Sequence, residues 1–407
     1  MILRFPNARD TLGECIAEGP DGRIYVGGGV DSEGDDSIHK LGIACLHKDG
    51  TLDTAFGKDG YVVVRFEPMQ DTHLHQIHFL EINGQARILL SGVDMKKGEN
   101  VLARLHADGR PDTDFGVGGR LTVRLPSNLA GSLGLGAAQV TTTGVGNAGP
   151  CALADGKIYV VTEVYMPIWI ATVAVLIRLN DDGSFDKSFN NTGYVAVTNQ
   201  HWGNSTIKDV LVQNGKITVC GTLKGSGMVA RLNEDGSFDT SFGKNGFAIT
   251  ELSFEFMALS ALPEGQVIVA GWSHSHFPRR GVLACFANDG QLDPGFNDGE
   301  ILIQAFEEEN SLMFFGVGVS EGKITASGRW LPKTGTPGFG VARYLSDGTL
   351  DRDFGHSTGW VHIIFEDAYA IANAMSLQEN GKILVVGNDG PFSKAAVVAR
   401  FLNVAQG

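Results

Sequence analysis

Proline is scarce in this 407-residue chain, and its five cysteines, Cys15, Cys45, Cys151, Cys220 and Cys285, form no CxxC pair. An odd and widely scattered set argues against a disulfide scaffold and a zinc site, so buried thiols in a reducing compartment are expected. Long apolar runs are missing as well. The longest mostly apolar stretch, 166–177, is too short to span a bilayer. No apolar core of signal-peptide length follows Met1, so a cytoplasmic protein is expected, with export lacking a cleaved signal as the alternative. Basic residues number 32 against 46 acidic ones, a formal net charge of −14. That balance speaks against nucleic acid as a partner, since such affinity rests on neutralised phosphates. A phosphate loop with a following Lys-Ser/Thr is lacking.

Glycine, by contrast, is abundant at 55 residues, and a repeat explains its placement. Asp-Gly pairs begin at Asp49, Asp108, Asp182, Asp235, Asp289 and Asp347, spaced by 59, 74, 53, 54 and 58 residues. Each lies in a segment such as VARLNEDGSFDTSFGKNGF (229–247) and follows a GKIxVxG-like run such as NGKITVCG (214–221). A seventh run, NGKILVVG (380–387), leads into VVARFLN (397–403). Short Val/Ile-rich runs bounded by Asp-Gly or Asn-Gly are hairpin strands, and four-stranded units repeated about every 58 residues predict a β-propeller. The expected fold is therefore all-β, one domain over 1–407, with seven blades of four antiparallel strands. Blades are placed at 10–66, 72–124, 148–198, 207–250, 256–305, 313–365 and 370–403 plus 1–6. The last unit lacks an outer strand, and residues 2–5 of MILRFPN resemble one. Their pairing with the C-terminal blade would close the ring and remove an exposed edge.

The VARLxxDGxLDxxFGxxG signature resembles the delta-60 repeat family of bacterial β-propeller proteins over essentially the whole chain. That resemblance implies the fold and carries little about activity. Phe189-Asn190 and Phe296-Asn297 depart from its Phe-Gly, and Cys45 and Cys285 stand where other copies have Arg.

Residues that recur are read as scaffold. The Asp-Gly pairs supply turn chemistry and too few oxygens for calcium. Arg104, Arg178, Arg231, Arg343 and Arg400 are expected to pair with aspartates such as Asp112, Asp186, Asp239 and Asp351. The recurrent Phe56, Phe115, Phe189, Phe242, Phe296 and Phe354 should fill the gaps between blades.

Residues that break the repeat are the functional candidates. Second-to-third-strand hairpins and blade crossings share one face, and Trp169, Trp202, Trp272 and Trp330 fall there. Tyr165, Tyr369, Phe277, Arg279, Arg280 and His201 join them. Aromatics with arginine on loops above a rigid scaffold suit binding of a glycan, peptide or protein at the channel mouth. An enzyme at the same mouth is the alternative, either a metal-dependent lyase or hydrolase or a glycosidase-like hydrolase. A purely architectural interaction domain is the third reading. No cofactor and no metal are expected. His73, His75, His274 and His276 are the metal alternative, with structural or surface roles preferred because blades two and five lie apart. Glu163, Glu307, Glu308, Glu366 and Asp367 are carboxylates that could meet across the mouth. The glycine-rich, uncharged segment 125–150 is expected to interrupt the crossing between blades two and three as a lid or plug.

Overall fold

The computed structural model describes residues 1–31, 39–66, 70–126, 141–142, 151–166, 171–199, 204–274, 277–307, 309–365, 370–389 and 395–402. Their strands gather into seven antiparallel sheets. Chain order within a sheet runs from inner to outer strand, as in blade four: Ser205–Gln213, Lys216–Leu223, Ser226–Asn233, Phe247–Ile249. The other inner strands are Cys15–Glu18, Thr72–Ile82, Cys151–Ala154, Phe254–Ala261, Ser311–Ser320 and Ile371–Leu377. Each of the seven touches its two neighbours, which makes a closed ring.

The ring closes through the chain ends. Blade seven takes its fourth strand from Ile2–Leu3, pairing Ile2 with Val397 and Leu3 with Ala396. The Met1 amino group also donates to the Val398 carbonyl at 2.7 Å. Leu3 and Phe5 are only 6% and 4% exposed in the cluster joining blades seven and one.

Turn chemistry accounts for the Asp-Gly pairs. Each leading Asp accepts the N–H two residues on, as Asp182 does from Ser184 at 2.8 Å and Asp235 from Ser237 at 2.9 Å. The second Asp meets the recurrent arginine: Arg104–Asp112 2.7 Å, Arg178–Asp186 2.9 Å, Arg231–Asp239 2.9 Å and Arg343–Asp351 2.7 Å. The same guanidinium lies over the recurrent phenylalanine, 4.6–4.9 Å from the ring centre. It then crosses to the next blade's turn: Arg178 donates to the Glu234 carbonyl and Arg231 to that of Asn288, both at 2.5 Å. Arg400 reaches the Lys48 carbonyl at 2.6 Å and so links blade seven to blade one. Where Cys45 replaces arginine, Arg23 takes Asp53 at 3.2 Å; where Cys285 does, Gln266 binds Asp293. One apolar cluster fills each of the seven blade interfaces, and every recurrent phenylalanine is buried in one. All five cysteines are free and buried.

Inner strands carry a β-bulge at one shared place. Register skips one residue at His75, Lys208, Met257, Phe315 and Asn373. Thr11 pairs with Val30 and Cys15 with Gly27, which puts Glu14 at the same point in blade one. Opposite each bulge stands the glycine that ends GKIxVxG: Gly28, Gly92, Gly221, Gly271, Gly328 and Gly387. A Cβ there would collide with an inner-strand carbonyl, for example that of Thr206 at Gly221 or Met313 at Gly328. Blade three has Thr162 instead, and the residues before Cys151 that would face it lie outside those described. Its inner position is split between Cys151–Ala154 and Thr141–Thr142, which pair with successive parts of the second strand (Lys157–Met166). The inserted segment therefore enters the inner strand itself as well as the crossing before it; its other residues after 126 lie outside those described.

Two outcomes follow. Deleting residues 1–5 removes two buried side chains and should lower stability by about 3–6 kcal/mol, read from denaturant unfolding. Asp112, Asp186, Asp239 and Asp351 are held below the ordinary carboxylate range: burial would raise them, but bonds to Arg, Lys and neighbouring N–H or O–H donors prevail. Depressed folded-state values contribute stability above the unfolded carboxylate pKa, and that contribution disappears on acidification. The melting temperature should hold from neutrality to about pH 5 and then fall steeply below about pH 4, less so in Asp239→Asn.

Candidate functional site

The bulge residues Glu14, His75, Lys208, Met257, Phe315 and Asn373 are half-buried at the inner edge of the ring, where the scaffold leaves room for side chains of different chemistry. Around them, on the face of the second-to-third-strand hairpins, two groups of polar residues gather.

The first belongs to blades four and five. Trp272 sits near the end of a second strand (Val267–Ser273) and is half-buried. The Arg279 guanidinium lies 4.6 Å from its ring centre and the His274 imidazole 4.1 Å away. Arg279 Nη1 is 3.4 Å from His274 Nδ1. Because arginine only donates, Nδ1 accepts and the ring proton sits on Nε2, which faces Glu255 Oε2 at 3.2 Å. Glu255 Oε1 is 3.5 Å from Lys208 Nζ. Burial pushes the nearby Glu163 carboxyl up, with Lys208 opposing and Glu255 reinforcing the shift. The hairpin is fixed to blade six: Arg279 N–H donates to Ser311 Oγ at 2.9 Å, and Leu312 N–H to the Arg279 carbonyl at 2.9 Å. Near its tip Phe277 is 92% exposed.

The second group lies where blades one and two meet. His73 Nδ1 donates to Glu14 Oε1 at 2.8 Å, and Glu14 Oε2 accepts the Gly29 N–H at 3.0 Å. His39 Nδ1 lies 3.1 Å from Asp71 Oδ1, and His73 Nε2 lies 3.7 Å from the same oxygen. The His73 and His75 rings stack at 6.4 Å. Burial would raise the Glu14 carboxyl, but the His73 bond and the charges of His75, His73 and His39 leave it lowered.

Of the residues expected at a binding face, Trp272, Phe277, Arg279 and Arg280 share one hairpin and its base, and His274 belongs with them. Tyr165 is in the second strand of blade three, paired with Thr172 and Thr141. Trp330, expected on a loop, lies instead within its second strand, Lys323–Leu331. It is 6% exposed and stacked at 4.1 Å on His362 of the outer strand, and a Cβ at Gly340 would crowd the Cβ of Trp330. His73 and His75 do lie together, but their partners are Glu14, His39 and Asp71, with His274 remaining in blade five. Trp169, Trp202, His201, His276, Tyr369, Glu308, Glu366 and Asp367 lie outside the described residues. Glu307 accepts a bond from Asn310 on the crossing after blade five. Lys208, Glu255, Glu14, His39 and Asp71 escaped the sequence reading. The bulge register was the signal for the inner-strand positions, since the strand-ending glycine marks its partner.

Residues 19–56, 153–189, 213–242, 262–296 and 322–354 match the family described as "Domain of unknown function (DUF5122) beta-propeller". These matched stretches fall in five of the seven blades. The unmatched blades are two and seven, the latter assembled from both chain ends. No curated protein matches the chain. Among solved structures, the acylaminoacyl peptidase of Pyrococcus horikoshii aligns at 7% identity over 97% of this chain and 52% of its own, with a TM-score of 0.47. This chain thus spans about half that peptidase's length. The β-propeller domain of the Trilobed protease from Pyrococcus furiosus aligns at 8% identity over 98% and 97%, with a TM-score of 0.48. Likenesses at this level say nothing of activity.

The Trp330 placement has a measurable consequence. Trp330→Ala should cost about 3–5 kcal/mol of stability in denaturant unfolding, as expected for loss of a buried indole.

Proposed function

We propose that this propeller is a binding module that takes a protein or peptide partner on the blade-five hairpin, around Phe277. The observation that carries this reading is a 92% exposed phenylalanine on a hairpin held by the Trp272–Arg279–His274 stack and by bonds to blade six. An exposed single apolar residue is ordinary on a surface. Here it is set on a rigid base with Arg279 and Arg280 beside it, the residue types that anchor protein interfaces. A prepaid geometry lowers the ordering cost of binding.

Sugar stacking is disfavoured for both described tryptophans of the expected set. Arg279 and His274 both lie against the half-buried Trp272, and His362 stacks on the buried Trp330, so neither indole is a freely exposed platform. A protein or peptide needs only Phe277 and the arginines, and acidic flanking residues on the partner would match those charges.

A peptide-display selection against the full chain tests this. Enriched sequences should combine an apolar residue with Asp or Glu. Phe277→Ala should weaken them at least about tenfold, while leaving the melting temperature nearly unchanged for so exposed a residue. Peptides that bind Phe277→Ala and Arg280→Glu as tightly as the parent would overturn the assignment. So would a signal confined to a glycan array.

A further inference from the structure

The histidine–carboxylate group between blades one and two is unused by the hairpin reading and independent of it. His39 immediately precedes the third strand of blade one, Lys40–Leu46, and Asp71 and His73 flank the first residue of blade two's inner strand, Thr72–Ile82. The backbone fixes these segments together: Thr72 N–H donates to the His39 carbonyl at 2.8 Å, and His39 N–H to Asp71 Oδ1 at 2.8 Å. One ring nitrogen from each histidine and one Asp71 oxygen all lie within 4.8 Å of one another. The His39 and His73 rings are 4.7 Å apart.

Two further observations point to a cation. First, Glu14 takes the proton side of His73: its Oε1 receives Nδ1 at 2.8 Å and its other oxygen is anchored by Gly29. A carboxylate behind one imidazole nitrogen fixes the tautomer and directs the other nitrogen's lone pair forward, as in metal-ligating histidines. Here Nε2 faces the Asp71 carboxylate at 3.7 Å, too long for a hydrogen bond and the right side for a shared ion. Second, His75 stacks beside His73, and its Nε2 is buried with no hydrogen-bond partner among the described residues.

We propose that His39, Asp71 and His73 bind a divalent transition-metal ion of the zinc class, with Glu14 as the positioning residue behind His73. Two imidazoles and a carboxylate are a donor set for Zn²⁺ or a similar borderline ion; Ca²⁺ and Mg²⁺ prefer oxygen throughout. Among the described residues three ligands are one short of zinc's usual four, which leaves a place for a further donor. A second trio, Asp10, Asp31 and His39, shares a histidine but is the weaker candidate, because Arg9 already holds Asp31 at 2.6 Å.

The test uses the full chain, stripped with a chelator and titrated with Zn²⁺ by calorimetry, with metal content measured after dialysis. One equivalent should bind, and the melting temperature should rise with Zn²⁺ concentration. Asp71→Asn should abolish that equivalent, and Glu14→Gln should keep the stoichiometry but weaken binding about 10–100-fold. In the parent protein, Zn²⁺ should shift the imidazole resonances of His39 and His73 and leave that of His274 in place, a readout that requires no variant to fold. Absence of saturable Zn²⁺ binding overturns the site, as does binding unchanged in Asp71→Asn or shifts confined to His274. Tighter binding of Ca²⁺ or Mg²⁺ overturns the metal class, and an unaltered affinity in Glu14→Gln overturns the positioning role.

Discussion

In blades two, three, four and six one guanidinium closes on the blade's own aspartate, and in blades two to four it also donates to the next blade's turn; this is the contact on which the ring depends. It joins a buried ion pair to an inter-blade hydrogen bond and lies over the phenylalanine that fills the same interface. An unpaired charge at such a place would be costly, so the arginine, the aspartate and the neighbouring turn must be kept together. Blades one and five show the constraint by exception. Cysteine replaces arginine there, and Arg23 or Gln266 from the preceding turn supplies the donor to the aspartate.

Spending the repeated residues on that relay commits one face of the ring to scaffold. The other face is left to vary, and the bulges determine how it varies. Six glycines permit six bulges, and each bulge places one half-buried residue at the inner edge of the ring. Because the bulged residue lies outside the pairing, its side chain can be acid, imidazole, amine, thioether, ring or amide without loss of the sheet. Blade three, lacking the glycine, accepts an insertion at the same point instead.

The two polar groups on that face differ in design. In blades four and five, every charged neighbour is answered in turn, Arg279 to His274 to Glu255 to Lys208, which stiffens the base of a hairpin. In blades one and two, His73 donates to Glu14 through one ring nitrogen while its other nitrogen and His39 face Asp71. The first suits the presentation of a surface, the second the holding of an ion. Their separation in the ring lets each act without the other.

Much of the fold was legible in the chain. The Asp-Gly spacing, the strand-ending glycines and the terminal fragments determined seven blades, their strand order and the closure by residues 2 and 3, because these depend on local turn conformation and on a repeat. The arginine and phenylalanine roles were legible for the same reason: a feature copied in most blades must serve what the blades share. The candidate sites were legible only in part. Trp272, Phe277 and Arg279 stood out as interruptions of the repeat, but Trp330 looked equally irregular until the sheet was seen to extend beneath it. His39, Asp71 and Glu14 are far apart in sequence and carry no local signature. Only the packing of blade one against blade two brings them within bonding distance, since which unrepeated residues meet is decided by the ring's three-dimensional contacts and by nothing in the spacing along the chain.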